Sequence, residues 1–354
     1  MKRVVGLILT LLIIVAILFA YAEEWEMFTS GEYSYILTED GNAIIIKYNG
    51  TDETVFIPSN LEGHNVCEIG DNAFKNCYSM ITVIIPKSVT TIGEKAFYSC
   101  DSLYSITIPD SIMTIGDGAF FYCDSLTTIS MSSDHPYFAV IDGALYSKTD
   151  KRLVWVSPNR SGSFEIPSGI QIIGNNAFSN CTNLTTVTIP DSVTTIGGEA
   201  FYCCKNLFLG RIPNSVTALG PGAFYGCGML TSISIPRNIT VLESKLFYDC
   251  DRLSSVSISD KVTTIGDETF ASCNALTKVM IPKSVTSIGD KAFYSCSSLM
   301  SITIPDSIVS IGDNAFYGCP SLVLTVSRGS YAEQYCIDTG LSYQFTDSTS
   351  WLND

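Results

Sequence analysis

The sequence predicts a repeat solenoid built from coils of 23 residues, rich in β-strand and carrying short helical turns. Phenylalanines recur every 23 residues, with one longer gap: Phe74, Phe97, Phe120, Phe178, Phe201, Phe224, Phe247, Phe270, Phe293 and Phe316. Cysteines keep the same spacing: Cys77, Cys100, Cys123, Cys181, Cys204, Cys227, Cys250, Cys273, Cys296 and Cys319. Apolar side chains also alternate with Ser and Thr in each repeat. A period of this length indicates stacked repeats, because no single unit can bury its own apolar face.

One repeat illustrates the elements that each coil should contain. The alternation of apolar and polar residues around Ile106 predicts a strand with one buried face. Pro109 has no amide hydrogen to donate to a neighbouring strand, so it ends this one. Gly116 suits a turn that needs positive φ, and Asp117 suits the cap of a short helical turn that carries Phe120.

The recurring pattern C-xx-L-xx-I-x-IP-xx-V-xx-IG-xx-AF resembles the leucine-rich repeats of the BspA-like, or TpLRR-type, family over about residues 66–326. The resemblance implies a right-handed β/α superhelix. It also implies a bacterial secreted or surface protein. Several family members are implicated in adhesion to host proteins, so the implied partner is a host extracellular or cell-surface protein.

Four residues depart from this pattern. Leu219 and Leu242 replace the Ile before the turn, and Glu243 replaces the Gly that follows it. Gly210 stands where a strand residue should point inward. We expect the array to be locally weaker in these coils.

Residues 1–22 have the composition of a secretory leader. Lys2 and Arg3 precede an apolar run that ends at Phe19, and Ala20-Tyr21-Ala22 follows as an A-x-A cleavage pattern. This order predicts export with cleavage after Ala22. Because the run is long for a leader, an uncleaved N-terminal membrane anchor is the alternative. Either way, the expected location is outside the cell or at its surface.

Three further parts follow the leader. Residues 23–54 contain Asp40-Gly41 between two β-rich runs, which predicts a hairpin that caps the array. Residues 55–326 form the solenoid of ten coils. Residues 327–354 are expected to form a C-terminal cap of one helix and one strand, followed by a loose tail.

The spacing is interrupted by extra residues at about 132–165. Two β-rich runs, one on each side of Lys148-Thr149-Asp150-Lys151, predict another hairpin. One interpretation is a structural insertion. The other is a binding loop that exposes Tyr137, Phe138 and Trp155, because long insertions in compact arrays are often functional.

The charge balance excludes some partners. The chain contains 35 acidic and 20 basic residues, for a net charge of −15. This acidity argues against nucleic acid and anionic membranes as ligands, so membrane contact is expected only through an uncleaved leader.

The residues that could carry chemistry are few. Ten of the 13 cysteines share one repeat position, so their side chains should run parallel and stay unpaired as buried thiols. Cys67, Cys203 and Cys336 fall outside this ladder. The chain has two histidines, His64 and His135, and no signature of a catalytic triad, a phosphate-binding loop or a zinc site. We therefore expect no enzyme activity, no metal and no cofactor.

The outward strand positions suggest where a ligand could bind. Most are Ser or Thr, and two coils differ by carrying Phe208, Leu209 and Arg211, or Lys278 and Met280. An aromatic stripe follows the phenylalanines at Tyr98, Phe121, Tyr202, Tyr225, Tyr248, Tyr294 and Tyr317. The leading hypothesis is a non-enzymatic protein that binds a protein partner through its strand face. The alternative is carbohydrate or cell-wall binding through the aromatic hairpin or the tyrosine stripe. A hydrolase with an unrecognised site is a third possibility.

Overall fold

The computed structural model describes residues 26–347, so the predicted leader and the end of the predicted tail lie outside the described residues. The chain forms a β-solenoid of about 13 turns with almost no helix. Hydrogen bonding between the strands divides the solenoid into three segments.

The first segment comprises β1 Phe28–Ser30, β2 Tyr33–Leu37, β3 Ala43–Tyr48, β4 Thr54–Phe56, β5 Asn60–Leu61, β6 His64–Ile69, β7 Thr82–Ile84, β8 Thr91–Ile92, β9 Ser105–Thr107, β10 Thr114–Ile115 and β11 Thr128–Ser130. The middle segment comprises β12 Phe138–Ile141, β13 Ala144–Ser147, β14 Arg152–Val156, β15 Gly162–Glu165, β16 Ile172–Ile173, β17 Leu184–Thr188, β18 Thr195–Ile196 and β19 Ala218–Leu219. The last comprises β20 Ser232–Ser234, β21 Val241–Leu242, β22 Ser255–Ser257, β23 Thr264–Ile265, β24 Lys278–Met280, β25 Ser287–Ile288, β26 Ser301–Thr303, β27 Ser310–Ile311, β28 Val323–Val326, the helix α1 Tyr331–Thr339 and β29 Tyr343–Phe345.

Each coil contributes to three rows that run along the array. The strand-face row contains β4, β7, β9, β11, β15, β17, β20, β22, β24, β26, β28 and β29. The second row contains the short strands before each repeat glycine: β6, β8, β10, β14, β16, β18, β19, β21, β23, β25 and β27. The turn row contains the turns around each repeat phenylalanine, where the amide of Phe74 donates to the carbonyl of Ala96 at 2.7 Å.

The segments expected as short helical turns are linked tight turns. Lys95 and Ser99 both have positive φ, at 52° and 54°, and most other coils repeat this arrangement. A left-handed residue ends a helix, so two of them within one turn exclude helical continuation.

The repeat glycine has a different role from the one expected. Gly116 does not have positive φ, but a Cβ there would lie 2.5 Å from the amide nitrogen of Glu94. The glycine is therefore required because two coils approach closely, not because of its own conformation.

The aspartates after this glycine link consecutive coils instead of capping a helix. The Asp267 carboxylate accepts a hydrogen bond from the amide of Asp290 at 2.8 Å, and Asp290 accepts one from Asp313 at the same distance. Each of these carboxylates thus accepts a hydrogen bond from a backbone amide of the next coil.

The core contains two series of packed aromatic rings, one on each side of the insertion, surrounded by aliphatic side chains. The rings of Phe178 and Phe201 lie 4.8 Å apart, and those of Phe201 and Phe224 lie 5.4 Å apart, with nearly parallel planes. Every repeat phenylalanine is buried. This burial confirms that the phenylalanine ladder is the inward side of the repeat.

Both predicted caps are present. The N-terminal hairpin consists of β2 and β3, which pair antiparallel, and β1 adds a third strand. At the other end, Ser330 caps α1 by accepting from the amide of Glu333 at 3.2 Å. Strand β29 then pairs with β28 in parallel.

Candidate functional site

The outward positions of the strand-face row form a largely polar surface. Exposed Ser and Thr side chains dominate it, including Thr107, Thr128, Ser130, Thr186, Thr188, Ser232, Ser234, Ser255, Ser257 and Thr303. Because strand residues alternate between faces, these side chains are outward wherever their neighbours are in the core. A large apolar side chain at one of these outward positions therefore does not pack in the core, and its exposure needs another explanation.

The clearest exception lies near the C-terminal end, in a groove of about 770 Å³ around Met280. We call it the Met280 groove. The Met280 side chain is 72 % exposed, and Pro282 and Pro305 line the same groove. Lys278 and Lys283 also line it, and neither lies within ion-pair distance of a carboxylate in the described part of the chain. Asp306 lines the groove as well, so the exposed Met280 side chain is surrounded by charges of both signs that a partner could contact.

The coil at Phe208 does not present the surface that was expected. Phe208 is 45 % exposed, but Leu209 is only 6 % exposed, so the prediction of an outward Leu209 is wrong. Gly210 has no side chain to fill the inward position, and Leu209 occupies the core beside it. Arg211 is exposed and forms an ion pair with Asp191 at 2.8 Å, which is worth little at such an open position.

An apolar pair at the N-terminal end was missed. Phe56 on β4 and Ile84 on β7 are register partners, and both are exposed. Phe56 lies in a coil with an added loop at residues 60–65, and Ile84 lies in the next coil. The alternation after Val55 and Val83 is the sequence signal that could have identified them.

The insertion is not an exposed aromatic loop. Phe138 is 2 % exposed and Trp155 is 5 % exposed, whereas Tyr137 is half-buried. The predicted hairpin is present as β13 and β14. Its side chains alternate between two cores, since Leu145 and Trp155 pack against the first segment and Tyr146 against the second and third. The hairpin is thus a layer between two stretches of the array.

Polar contacts hold this layer in place. The imidazole of His135 is fully buried, and its Nδ1 accepts hydrogen bonds from the amides of Tyr137 and Phe138, both at 3.2 Å. Its Nε2 therefore carries the proton and donates to the Pro109 carbonyl at 3.1 Å. Arg152 forms an ion pair with Asp117 at 2.6 Å. The three hydrogen bonds of its ring give His135 a structural role.

The tyrosine stripe offers few free ring faces. Tyr202 and Tyr225 stack with ring centroids 4.8 Å apart, and Tyr225 and Tyr248 stack 4.7 Å apart. A sugar that stacks on an aromatic residue needs an open ring face. Neighbouring rings cover the faces in the middle of the stripe, while Tyr317 at its end is exposed. The geometry therefore disfavours the tyrosine stripe as a carbohydrate platform.

All 13 cysteines are free thiols, which confirms the expectation for the ten of the ladder and extends it to Cys67, Cys203 and Cys336. In the ladder, the Sγ atom donates to the phenylalanine carbonyl 26 residues earlier, as from Cys100 to Phe74 at 3.0 Å. Burial raises the pKa of the Cys204 and Cys250 thiols well above its usual value. These thiols are therefore poor nucleophiles.

Residues 26–347 contain no group of three or more side chains suited to hold a metal ion. Within the same range, no helix has the length and apolar character needed to span a membrane.

Comparison with solved structures places this architecture among bacterial leucine-rich repeat proteins. A leucine-rich repeat protein from Eubacterium ventriosum is 25 % identical, with a TM-score of 0.63 over 82 % of this chain and 93 % of that one. A leucine rich cell surface protein from Faecalibacterium prausnitzii is 27 % identical, with a TM-score of 0.48 over 89 % of this chain and 98 % of that one. The leucine rich repeat protein of T. pallidum is 26 % identical, with a TM-score of 0.31 over 71 % and 91 %.

No curated protein matches the chain. The model of the BspA type leucine rich repeat region matches residues 54–148, 159–277 and 263–336, in six copies. These matches span most of the solenoid, and the chain therefore belongs to the BspA type leucine-rich repeat family.

Proposed function

We propose that this protein is a non-enzymatic binding protein, secreted or displayed at the cell surface, that recognises a protein partner through its strand face. Leucine-rich repeat proteins generally mediate protein–protein interactions, which supports the general class. The predicted leader supports export, and the F. prausnitzii relative is a cell surface protein by name.

The observation that carries the proposal is the Met280 groove. Binding energy in protein interfaces concentrates in a few apolar or aromatic anchors that are surrounded by polar residues. Met280 provides such an anchor within a face of Ser and Thr. Its thioether is flexible and adapts to different partner shapes.

A protein partner fits this surface better than a sugar. The groove is lined by Met, Pro, Ile and Val residues together with Ser, Thr, two lysines and Asp306, and none of these described lining residues is aromatic. In the middle of the tyrosine stripe the rings are stacked on one another, whereas Tyr317 at its end is 63 % exposed. We favour a protein partner because the groove combines an apolar anchor with polar surroundings.

The experiment is a binding screen with the purified protein against two immobilised panels, one of extracellular and cell-surface proteins and one of glycans. The proposal expects saturable binding to at least one protein and none to the glycans. Saturable binding to glycans alone would contradict it.

A further inference from the structure

Hydrogen bonding along the array changes abruptly between two consecutive coils, at residues 207–227 and 230–250. We call this boundary the junction. In the strand-face row, residues 207–212 form no strand, and β20 pairs only with β22. In the second row, β19 pairs only with β18, and β21 only with β23. Two of the three rows are therefore unpaired at the same boundary. The strand-face row is interrupted again between β22 and β24, but there the second row stays paired.

Glu243 explains the break in the second row. Elsewhere in the array this position is Gly, whose amide donates to the carbonyl of the preceding coil, as from Gly220 to Ile196 at 2.8 Å. A Cβ at Gly220 would lie 2.3 Å from the amide nitrogen of Gly198. Glu243 carries such a Cβ, so it cannot approach the coil before it. In the described structure, its amide makes no backbone bond to Leu219.

Gly210 explains the break in the strand-face row. The inward position that it should fill is taken by the neighbouring Leu209, which is buried. This shift destroys the alternation that a strand needs. Only an isolated bridge from Phe208 to Thr186 remains on one side of the coil.

The turn row continues across the junction without interruption. Its hydrogen bonds run from Gly222 to Ser244 at 2.9 Å, from Phe224 to Leu246 at 3.0 Å and from Gly226 to Tyr248 at 2.8 Å. The rings of Phe224 and Phe247 remain stacked 5.6 Å apart. Away from this row, Asn214 adds two bonds of 3.3 Å, to Arg237 and Asn238.

We propose that the junction is a hinge whose axis is the turn row. The two coils stay joined along this axis. The strand-face and second rows have no strand pairing across the junction, so they open and close against only core packing and the two Asn214 bonds. Phe208 and Arg211 lie on one side of the hinge and the Met280 groove lies on the other. Bending therefore changes the angle between these two parts of the strand face, and a partner that contacts both would fix that angle. The hinge itself does not depend on the proposed function.

The test is a distance measurement between paired spin labels in the second row, by dipolar electron paramagnetic resonance. Labels at Thr194→Cys and Thr263→Cys span the junction, and labels at Thr240→Cys and Val309→Cys span coils whose second-row strands are all paired. Both pairs are three coils apart, or roughly 14 Å at the usual strand spacing. The partly accessible Cys67, Cys77 and Cys203 are replaced by serine so that labels attach only at the intended sites.

Two variants separate the Cβ of Glu243 from its charge. Glu243→Gly removes both, and Glu243→Ala removes only the charge. We expect a broader distance distribution across the junction than in the control pair. Glu243→Gly should narrow the junction distribution, and Glu243→Ala should leave it broad. The proposal would be overturned if the two label pairs gave distance distributions of equal width. It would also be overturned if Glu243→Gly did not narrow the junction distribution, or if both variants narrowed it equally.

Discussion

The ring of Trp155 packs edge-on against the ring of Phe120, with centroids 6.4 Å apart. Phe120 is the last repeat phenylalanine before the insertion, and Trp155 closes the stack at that point. Leu145 and Phe138 belong to the same core cluster, so the insertion covers the apolar end of the first segment.

The first prediction concerns this layer. Trp155→Ala should lower the free energy of unfolding by about 3–5 kcal/mol, because it removes a buried aromatic ring and leaves a cavity. Tyr137→Ala, in the same insertion but half-buried, should have a smaller effect. Urea denaturation of both variants measures the difference. If Trp155→Ala left stability unchanged but abolished partner binding, the binding-loop interpretation would be correct after all.

The second prediction concerns the phenylalanine ladder. Phe224→Ala should lower the free energy of unfolding by about 3–5 kcal/mol, because Phe224 is fully buried between two stacked rings. Thr188→Ala, on the exposed strand face, should stay within about 0.5 kcal/mol. Losses of equal size in denaturant titrations would mean that the faces have been assigned the wrong way round.

The third prediction concerns the thiols. Labelling of the native protein should be slow at the buried ladder positions and faster at Cys67, Cys77 and Cys203, which are half-buried. Denaturation should make all 13 cysteines reactive. A peptide in a non-reducing digest that links Cys227 to Cys250 would contradict the free-thiol ladder.

The fourth prediction concerns export. If residues 1–22 are a cleaved leader, mass spectrometry of the exported protein should find Glu23 at its N-terminus. Recovery of a membrane-associated form with an intact N-terminus would favour the anchor instead.

The fold could be predicted because the same physical requirement returns every 23 residues. Phe74 and Phe316 lie far apart in sequence, yet each must fill the same space beneath a neighbouring ring. The cysteine positions were predictable for the same reason. Because many coils show the same pattern, one irregular coil does not change the assignment. The inward and outward faces were therefore assigned correctly along most of the array.

Predictions failed at residues whose burial or conformation depends on neighbouring residues and coils more than on the repeat pattern. Leu209 is buried because Gly210 leaves the inward position empty, and Phe138 and Trp155 are buried because they cover exposed core. Gly116 was assigned to a positive-φ turn, but the approach of the preceding coil explains it. Such contacts between coils cannot be derived from the spacing within one coil.

The Met280 groove could be predicted only in part. Lys278 and Met280 stood out from the Ser and Thr residues, but Pro282 and Pro305 are consensus residues of their repeats. Their contribution to a groove depends on the packing of adjacent coils at the C-terminal end. Thr346, which follows the final strand, also lines it.

The most direct test of the central claim is to compare Met280→Glu with Ser234→Glu in binding to the protein partner found by the screen. Both residues are exposed at the same position of the strand-face row, two coils apart. We expect Met280→Glu to weaken binding by roughly 30-fold or more, as for an interface anchor worth about 2 kcal/mol, and Ser234→Glu to have little effect. Melting temperatures of both variants should match that of the unmodified protein. Unchanged affinity in a folded Met280→Glu protein, or equal losses in both variants, would contradict the claim that the Met280 groove is the centre of binding.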